Sequence, residues 1–349
     1  MMAARPWRYG GEQGSILVLV LLLMGVLVAI ALYGLRMAQV ESSGAKVVDK
    51  RLQGRGLSAS GVRLARFLLL RDLRLDLEQE RVDHPGEAWG RFPETRQVRL
   101  PELESGAIEG QIVDEQGKFP VNALLDGDGN WRSAYRRVLE NLLTGHFEVS
   151  ESKAETVLSS LKDWMDPDEE PSGTRGAESA YYRQGDKPWT CRNGPLRSLA
   201  ELRFVRGVSQ KLYSGSEGGP GLRDLATVHG DGGINVNTAP EPVLAALIKQ
   251  QETGLAWSEA IRFARDMIRY RKDRMHWDQL ADAQWWQNVS GALSVRMHPV
   301  FGVTSSVFSV RITSGTGSVS SVSFAVLKRK ASDSEESSFR LKCLRYEVE

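Results

Sequence analysis

Apolar positions fall along this chain in three regimes: one unbroken run, then recurrence at helical spacing, then alternation at strand spacing. The run comes first. Residues 16–35 contain no charged side chain and follow a short polar leader that carries Arg5, Arg8 and Glu12 and ends in Gly14-Ser15. At about 1.5 Å rise per residue, a helix over these positions spans the roughly 30 Å hydrocarbon core of a bilayer. No other stretch of the 349 residues is apolar for long enough to do so.

The second regime predicts helices. From 39 to 80, Val40, Val47, Val48, Leu52, Leu57, Val62, Leu64 and Leu68 recur at helical spacing, with arginines on the other faces. One long helix that starts in the bilayer and leaves it as an amphipathic stem is the simplest structure. Gly44, Gly54, Gly56 and Gly61 lower its helicity by about 1 kcal/mol each relative to Ala, so the stem requires packing against the rest of the chain. The stretch 84–101, rich in Pro, Gly and charge, reads as a loop. Residues 107–113 then alternate like a strand, and Asp114-Glu115-Gln116-Gly117-Lys118 turns into a second short strand over 119–124.

Helical periods dominate from 131 to 286. Segments 131–143 and 150–164 come first, the second with Ser150 as N-cap and Lys153 at the third position. Ser198 to Phe204, a break at Gly207 and Ser209 to Tyr213 form a helix-hairpin-helix candidate. Residues 225–228 and 234–236 look extended. Asn237-Thr238-Ala239-Pro240-Glu241-Pro242 caps a helix through Ile248, and helices over 257–270 and 275–286 follow. Near Pro299 the third regime begins. Residues 303–312 and 318–328 alternate Val or Phe with Ser, Thr and Arg around Gly315-Thr316-Gly317, and 339–348 forms a third strand after the acidic, serine-rich loop 332–338. Strands on both sides of a helical block predict one sheet packed on the stem with the block inserted between its strands, an α+β architecture.

Charge and composition narrow the function. With a formal net charge of +1 the totals show no basic surface for nucleic acid. Cys191 and Cys343 are too few for a disulfide scaffold or a paired-ligand zinc module; in an exported chain they either pair or remain two buried thiols. His84, His146, His229, His276 and His298 are scattered, without metal spacing, and no serine sits in a Gly-x-Ser-x-Gly elbow, so no catalytic residue and no enzyme activity are expected. Arg5 and Arg8 favour a cytoplasmic leader with the remainder translocated, an asymmetry that Arg36 weakens.

Two acidic segments invite a cation. Asp126-Gly127-Asp128-Gly129-Asn130 has oxygens at alternate positions, but an EF-hand needs Gly at the sixth position and an acid at the twelfth, where Trp131 and Arg137 stand. It reads as a polar turn capping the helix near Trp131. The second is Asp163-Trp164-Met165-Asp166-Pro167-Asp168-Glu169-Glu170 with Gly176-Ala177-Glu178, followed by Tyr181-Tyr182, which anchors the loop on its flanking helices. Taken alone it reads as a solvated acidic loop after a helix before it reads as a metal loop.

The apolar run itself fits a cleaved secretory signal, a signal anchor, or a pilin-like leader and stem. A cleaved signal has a shorter core and a small-x-small site, and Arg36-Met37-Ala38-Gln39 is no such site. Gly14-Ser15-Ile16-Leu17-Val18-Leu19 resembles the processing site of type IV pilins and type II secretion pseudopilins, cut after the glycine. Most of that family has Glu at the fifth mature position; here Leu19 stands, as in the K family of minor pseudopilins (general secretion pathway protein K). The ordered motifs Asp114-Glu115-Gln116-Gly117-Lys118, Asp163-Trp164-Met165-Asp166 with Gly176-Ala177-Glu178, Glu201-Leu202 with Gly207-Val208, and Ile234-Asn235-Val236-Asn237-Thr238-Ala239-Pro240 resemble that family too. The likeness runs from Gly14 to about residue 240; the last hundred residues rest on strand pattern.

That resemblance implies a pilin-like fold divided into a leader (1–14), a transmembrane segment and stem (15–80), the first part of the sheet (81–125), an inserted helical domain (126–298) and C-terminal strands (299–349). It implies cleavage by prepilin peptidase between Gly14 and Ser15, a single-pass inner-membrane protein with a periplasmic body, and a place at the tip of the type II secretion pseudopilus above the I and J subunits. The H and major G pseudopilins and secreted substrates are further partners. Leu19 is then the tip determinant, because a carboxylate in hydrocarbon needs a partner and a capping subunit has none above it. The family also implies calcium, with Asp163, Asp166, Asp168, Glu169 and Glu178 matching its metal-bearing segment. The competing hypothesis is a membrane-anchored nucleic-acid-binding protein that grips phosphate through its helix-hairpin-helix segments and the helix start at 237–240. Near-neutral charge and the export signal weigh against it.

Overall fold

The computed structural model describes residues 13–79, 82–92, 106–184, 188–216, 218–230, 232–251, 254–282, 284–289, 300–316, 319–330 and 340–348. The leader 1–12, the loop 332–338 and the turn residues Gly317 and Ser318 lie outside the described residues, as do the side chains of Gly14 and Ser15.

In chain order the elements are helix α1 (Gln13–Gln79), strands β1 (Gly106–Asp114) and β2 (Phe119–Pro120), then helices α2 (Ser133–Asn141), α3 (Glu151–Met165), α4 (Ser179–Tyr182), α5 (Gln210–Ser214) and α6 (Leu222–Leu225). Strands β3 (Ala226–Thr227) and β4 (Ile234–Asn235), helices α7 (Glu241–Gln251) and α8 (Trp257–Lys272), and strands β5 (Phe301–Gly302), β6 (Val307–Thr316), β7 (Val319–Lys330) and β8 (Arg340–Val348) complete the chain. The main sheet runs β1-β6-β7-β8 with every pair antiparallel. The prediction of a long helix, an antiparallel sheet and an inserted helical block therefore holds.

The single helix α1 passes without a break from the apolar run into the stem; its segment Ile16–Asp76 is long and apolar enough to cross a membrane. Its buried positions Gly54, Ser58, Gly61, Ala65, Leu69, Asp72 and Asp76 are spaced by three or four, which lines them along one face. Small residues let that face lie close on the sheet. Ser314 Oγ donates to the Gly54 carbonyl at 2.7 Å, Ser323 and Ser58 hydroxyls meet at 2.8 Å, and a Cβ on Gly61 would stand 2.7 Å from Ile312 Cγ2. Val62, Ala65 and Leu69 pack with Ile112, Phe308, Val310, Ile312, Ala325 and Leu327 into one of two cores.

The contacts fix a direction. Gly54, nearer the apolar run, meets Ser314, whereas Leu69 and Asp72, further along the helix, meet Arg329. Arg329 lies beside Lys328, which pairs with Val307 at the start of β6, and Phe308 faces Asp114 at the end of β1. The chain thus leaves the sheet after Asp114 and returns at Val307 on the sheet end farthest from the apolar run. The described residues between contribute to a second core, from Phe119 to Phe301 and joined by Val82, that is rich in α3, α7 and α8 side chains.

Two quoted motifs meet at this junction. Asp114 Oδ2 accepts from Thr238 Oγ1 (2.5 Å), Ser305 Oγ (2.6 Å) and Asn235 Nδ2 (3.1 Å), all buried or nearly so. Glu115 accepts from Thr227 and Ser309, and Gly117 lies so close to Thr238 that a Cβ would stand 2.6 Å from its hydroxyl.

Several local expectations are corrected. The strand expected over 119–124 is only Phe119–Pro120; it pairs in parallel with Ala226–Thr227, outside the main sheet, and Val121–Ala123 coil into a 3₁₀ turn. Asn122 explains this, because its side chain bonds Leu196 and Val228 backbone groups and holds the chain off a ladder. The helix expected over 275–286 is two 3₁₀ segments, Arg274–Ala281 and Trp285–Asn288. Ser150 occupies the N-cap position of α3 with no side-chain cap bond. Cys191 and Cys343 are both free, the first buried in the helical unit and the second exposed on β8, so they do not pair.

Candidate metal centre

Helix α3 delivers Asp163 and Asp166 to one face, three residues apart, and stops because Pro167 disfavours helical backbone at the residue before it. Asp166 is extended, at φ −76° and ψ 163°. Its Oδ2 takes Lys162 Nζ at 2.8 Å, and Asp163 Oδ1 accepts from Ser172 N at 2.8 Å, which folds the acidic loop back over the helix end. Gly176 closes the loop tightly: a Cβ there would collide with Asp163 Oδ2. The next two residues bring Glu178 to the N-cap position of α4, where its side chain caps nothing.

Oxygens without donors converge here. Among the described residues, Asp163 Oδ2, Asp166 Oδ1, both oxygens of Glu178 and Asn193 Oδ1 are buried with no hydrogen-bond partner. One oxygen each from Asp166, Asp168 and Glu178 lie within 4.8 Å of one another. A buried carboxylate without donors is costly, and a cluster of them more so. Burial, with Asp163, Asp166 and Glu169 nearby, pushes the Glu178 carboxyl up to about 7, and burial raises Asp166 as well. Among the described residues, Lys162 is the cation that pairs with the cluster, through Asp166. Such a set of hard oxygens fits calcium, which takes six to eight of them.

Of the sequence-predicted residues, Asp163, Asp166, Asp168 and Glu178 come together with unpartnered or exposed oxygens. Glu169 stands beside them as a brace, its Oε1 accepting from Ser179 Oγ at 3.0 Å and from Asn193 Nδ2 at 3.3 Å. Asn193 was not foreseen. It sits at φ 49°, donates to the Asp168 carbonyl and turns its own carbonyl oxygen inward. The Asn193-Gly194-Pro195 triplet is a turn signal, which marks where such a residue sits but not what it faces. Tyr182 anchors the loop as expected, buried edge-on against Trp164 at 5.3 Å and accepting from Arg206 N; Tyr181 instead lies exposed under the Arg206 guanidinium.

The other acidic segment behaves as a turn. Asp126 Oδ1 accepts from Asp128 N and Asn130 N, so that oxygen is spent on the local backbone. A further carboxylate group, Asp72, Asp76 and Glu87, lies at the stem end beside an opening of about 640 Å³ between stem and helical unit. Arg329 bonds Asp72 and Asp76 of this group and the neighbouring Asp83, an ion-paired lock beside which Glu87 stands.

Of the other sites, Leu19 is one of the exposed apolar side chains of α1, and the peptide between Gly14 and Ser15 lies in its first helical turn. The helix-hairpin-helix candidate forms as a 3₁₀ turn capped by Ser198 and the short α5, and the 237–240 helix start is held by Arg271, which donates to the Val236 and Ala239 carbonyls.

Comparison with known proteins matches residues 117–216 to the family model for type II secretion system protein K. The chain is 32% identical over 246 residues to "Type II secretion system protein K" of Pseudomonas aeruginosa, covering 68% of this chain and 69% of that protein. It is 29% identical over 212 residues to the protein K of Aeromonas hydrophila (58% and 61% covered) and 27% identical over 256 to that of Pectobacterium carotovorum (69% and 72% covered). The fold is similar, at TM-score 0.60 and 21% identity over 87% of this chain and 99% of the other, to a chain in the crystal structure of the GspK-GspI-GspJ complex from the enterotoxigenic Escherichia coli type 2 secretion system.

Proposed function

The chain belongs to the type II secretion system protein K family, and from that premise we propose that it is the minor pseudopilin that caps the secretion pseudopilus in the periplasm and helps start its assembly. One geometric observation carries this reading: the large helical unit leaves and re-enters the sheet at the end farthest from the apolar run of the stem. A pilin-like subunit stacks along its stem, so a mass of this size over the distal end obstructs a subunit above while leaving the stem free for those beside and below. The partners are subunits of the I and J families, by analogy with the complex whose fold it resembles, with H and G pseudopilins lower in the fibre. The role is structural, without catalysis. The nucleic-acid alternative is not favoured: its helix hairpin is short, and the amides of Asn237, Thr238 and Ala239 at its candidate phosphate-binding helix start already bond Asn235.

Before assembly the apolar run anchors the chain in the inner membrane, and prepilin peptidase cuts between Gly14 and Ser15. Leu19 leaves the helix end without the carboxylate that neutralises a neighbour's amino terminus, which suits a subunit at the end of the row. Calcium at Asp163, Asp166, Asp168, Glu178 and Asn193, braced by Glu169, stabilises the loop that joins α3 to α4; its part is to neutralise clustered carboxylates.

The test is co-purification of the full-length protein with I and J subunits in detergent, with and without a calcium chelator, and localisation of the labelled protein on assembled pseudopili. A complex at one fibre end is expected. A protein that incorporates along the whole fibre, or that binds neither subunit, refutes the capping role.

A further inference from the structure

The stem carries its charge in an uneven way. Arg51, Arg55, Arg63, Arg66, Arg71 and Arg74 are all exposed on α1, and the only acidic residues between 50 and 76 are Asp72 and Asp76, which are buried toward Arg329. Among the described residues, Arg55, Arg63, Arg66 and Arg71 take part in no ion pair. Between these arginines Leu64 is 42% and Phe67 59% exposed. At about 100° per residue, Arg55, Arg63, Arg66 and Phe67 fall within one sector of about 120° turned away from the buried positions of α1, and Leu64 lies outside that sector.

Three occupants compete for such a face. An anionic membrane surface is ruled out by length: Arg51 to Arg74 stand about 24 to 59 Å along the helix beyond Leu35, whereas the headgroup layer is only about 6 Å deep. A second copy packed stem to stem would set arginine against arginine, which like-charge repulsion disfavours. An acidic helix from a different subunit satisfies the charges and buries Phe67.

We propose that the outward stem face, with Arg55, Arg63 and Arg66 around Phe67, docks the acidic face of a stem helix from a different subunit, and that this charge match admits this chain beside such a helix and not beside its own copies. The inference rests on the reading of the chain as a fibre subunit. Electrostatic matching of this kind sets partner choice and association rate and is screened by salt.

The experiment measures binding of the full-length protein in detergent to purified full-length I and J subunits of the same secretion system, at low and high sodium chloride. The wild type is expected to lose at least tenfold in affinity as salt rises. Arg63→Glu with Arg66→Glu is expected to weaken binding at least tenfold at low salt and flatten the salt response, with Arg63→Gln and Arg66→Gln between. Unchanged circular dichroism melts certify the fold, since these side chains are exposed. A complex that forms and is indifferent to salt and to charge reversal overturns the inference alone. Absence of any complex with the wild type overturns the fibre-subunit reading and this inference with it. Vesicles of phosphatidylcholine and phosphatidylglycerol serve as a second probe: reconstituted wild type and variant are expected to recruit soluble vesicles equally, and arginine-dependent recruitment would assign the face to lipid and overturn the proposal.

Discussion

Arg329 on β7 and Asp72 on α1 form an ion pair of 2.8 Å in which the two side chains are only 2% and 7% exposed. The same guanidinium bonds Asp83 and Asp76, donates to the Leu69 and Ser305 carbonyls and lies 4.7 Å over the Phe308 ring. One cation thus joins the stem, the segment after it and the sheet at the point where the helical unit emerges. Buried ion pairs add little net stability over apolar substitutes of the same shape, but removing one partner strands the other charge.

Arg329→Met leaves three carboxylates around a vacated cation and is expected to destabilise the fold by about 3–5 kcal/mol. Arg329→Lys does not rescue it, since one ammonium cannot reproduce a fork that serves several acceptors. Denaturant unfolding of the full-length protein in micelles measures both. A loss below about 1 kcal/mol for the Met variant would mean that the lock is incidental.

Calcium is expected to raise the melting temperature of chelator-treated protein, by the equivalent of about 2.7 kcal/mol at a hundredfold excess over its dissociation constant. Glu178→Gln should abolish most of that rise. It should also leave the metal-free protein near its original stability, because a carboxyl raised to about 7 is already half protonated at neutrality. Asp168, exposed at the loop edge, should matter less. Titration calorimetry of Glu178→Gln and Asp168→Asn ranks the two, and equal calcium affinity in wild type and Glu178→Gln would remove the site.

Gly61→Val sets new methyl groups where even a Cβ would stand 2.7 Å from Ile312, and overpacking of this kind costs about 1–3 kcal/mol. Gly56, on the same helix with nothing within 4 Å of such a Cβ, is the control: Gly56→Ala should gain up to about 1 kcal/mol from helix propensity. Opposite signs for two glycines five residues apart are the expected result of thermal unfolding.

Those glycines mark how far the sequence could be read. Helical and strand periods located α1, β6, β7 and β8 because long elements repeat their signal many times. Propensity counts Gly54 and Gly61 as weaknesses, and only the sheet lying against them makes them fit. The carboxylates of 163–178 were legible because they cluster in sequence, while Asn193 arrives from a turn further along. Arg329 and Asp72 are 257 residues apart and no local pattern links them. Phe119 to Leu124 looked like a strand because its residue types suit one, but its ladder partners were taken by Asn122 and a parallel bridge from β3.

The last expectation concerns acid and base. Burial, followed by Asp72, Asp76 and Asp83, raises the Glu87 carboxyl to about 9, so it is protonated in the folded protein at neutral pH. A carboxyl whose folded value is raised binds its proton more tightly in the native state than when unfolded. Its contribution is fully present below the unfolded value, near 4.5, and is lost as pH rises through about 9. Glu87→Gln mimics the protonated form, and its amide oxygen can still accept from His84 N and Trp89 Nε1 as Oε2 does now. The variant is therefore expected to fold as well as wild type near pH 5 and to grow more stable than it up to pH 9, by on the order of 1 kcal/mol per pH unit. Parallel melts of the two proteins across that range decide the matter, and a difference that stays constant with pH would show that Glu87 carries its charge in the folded state.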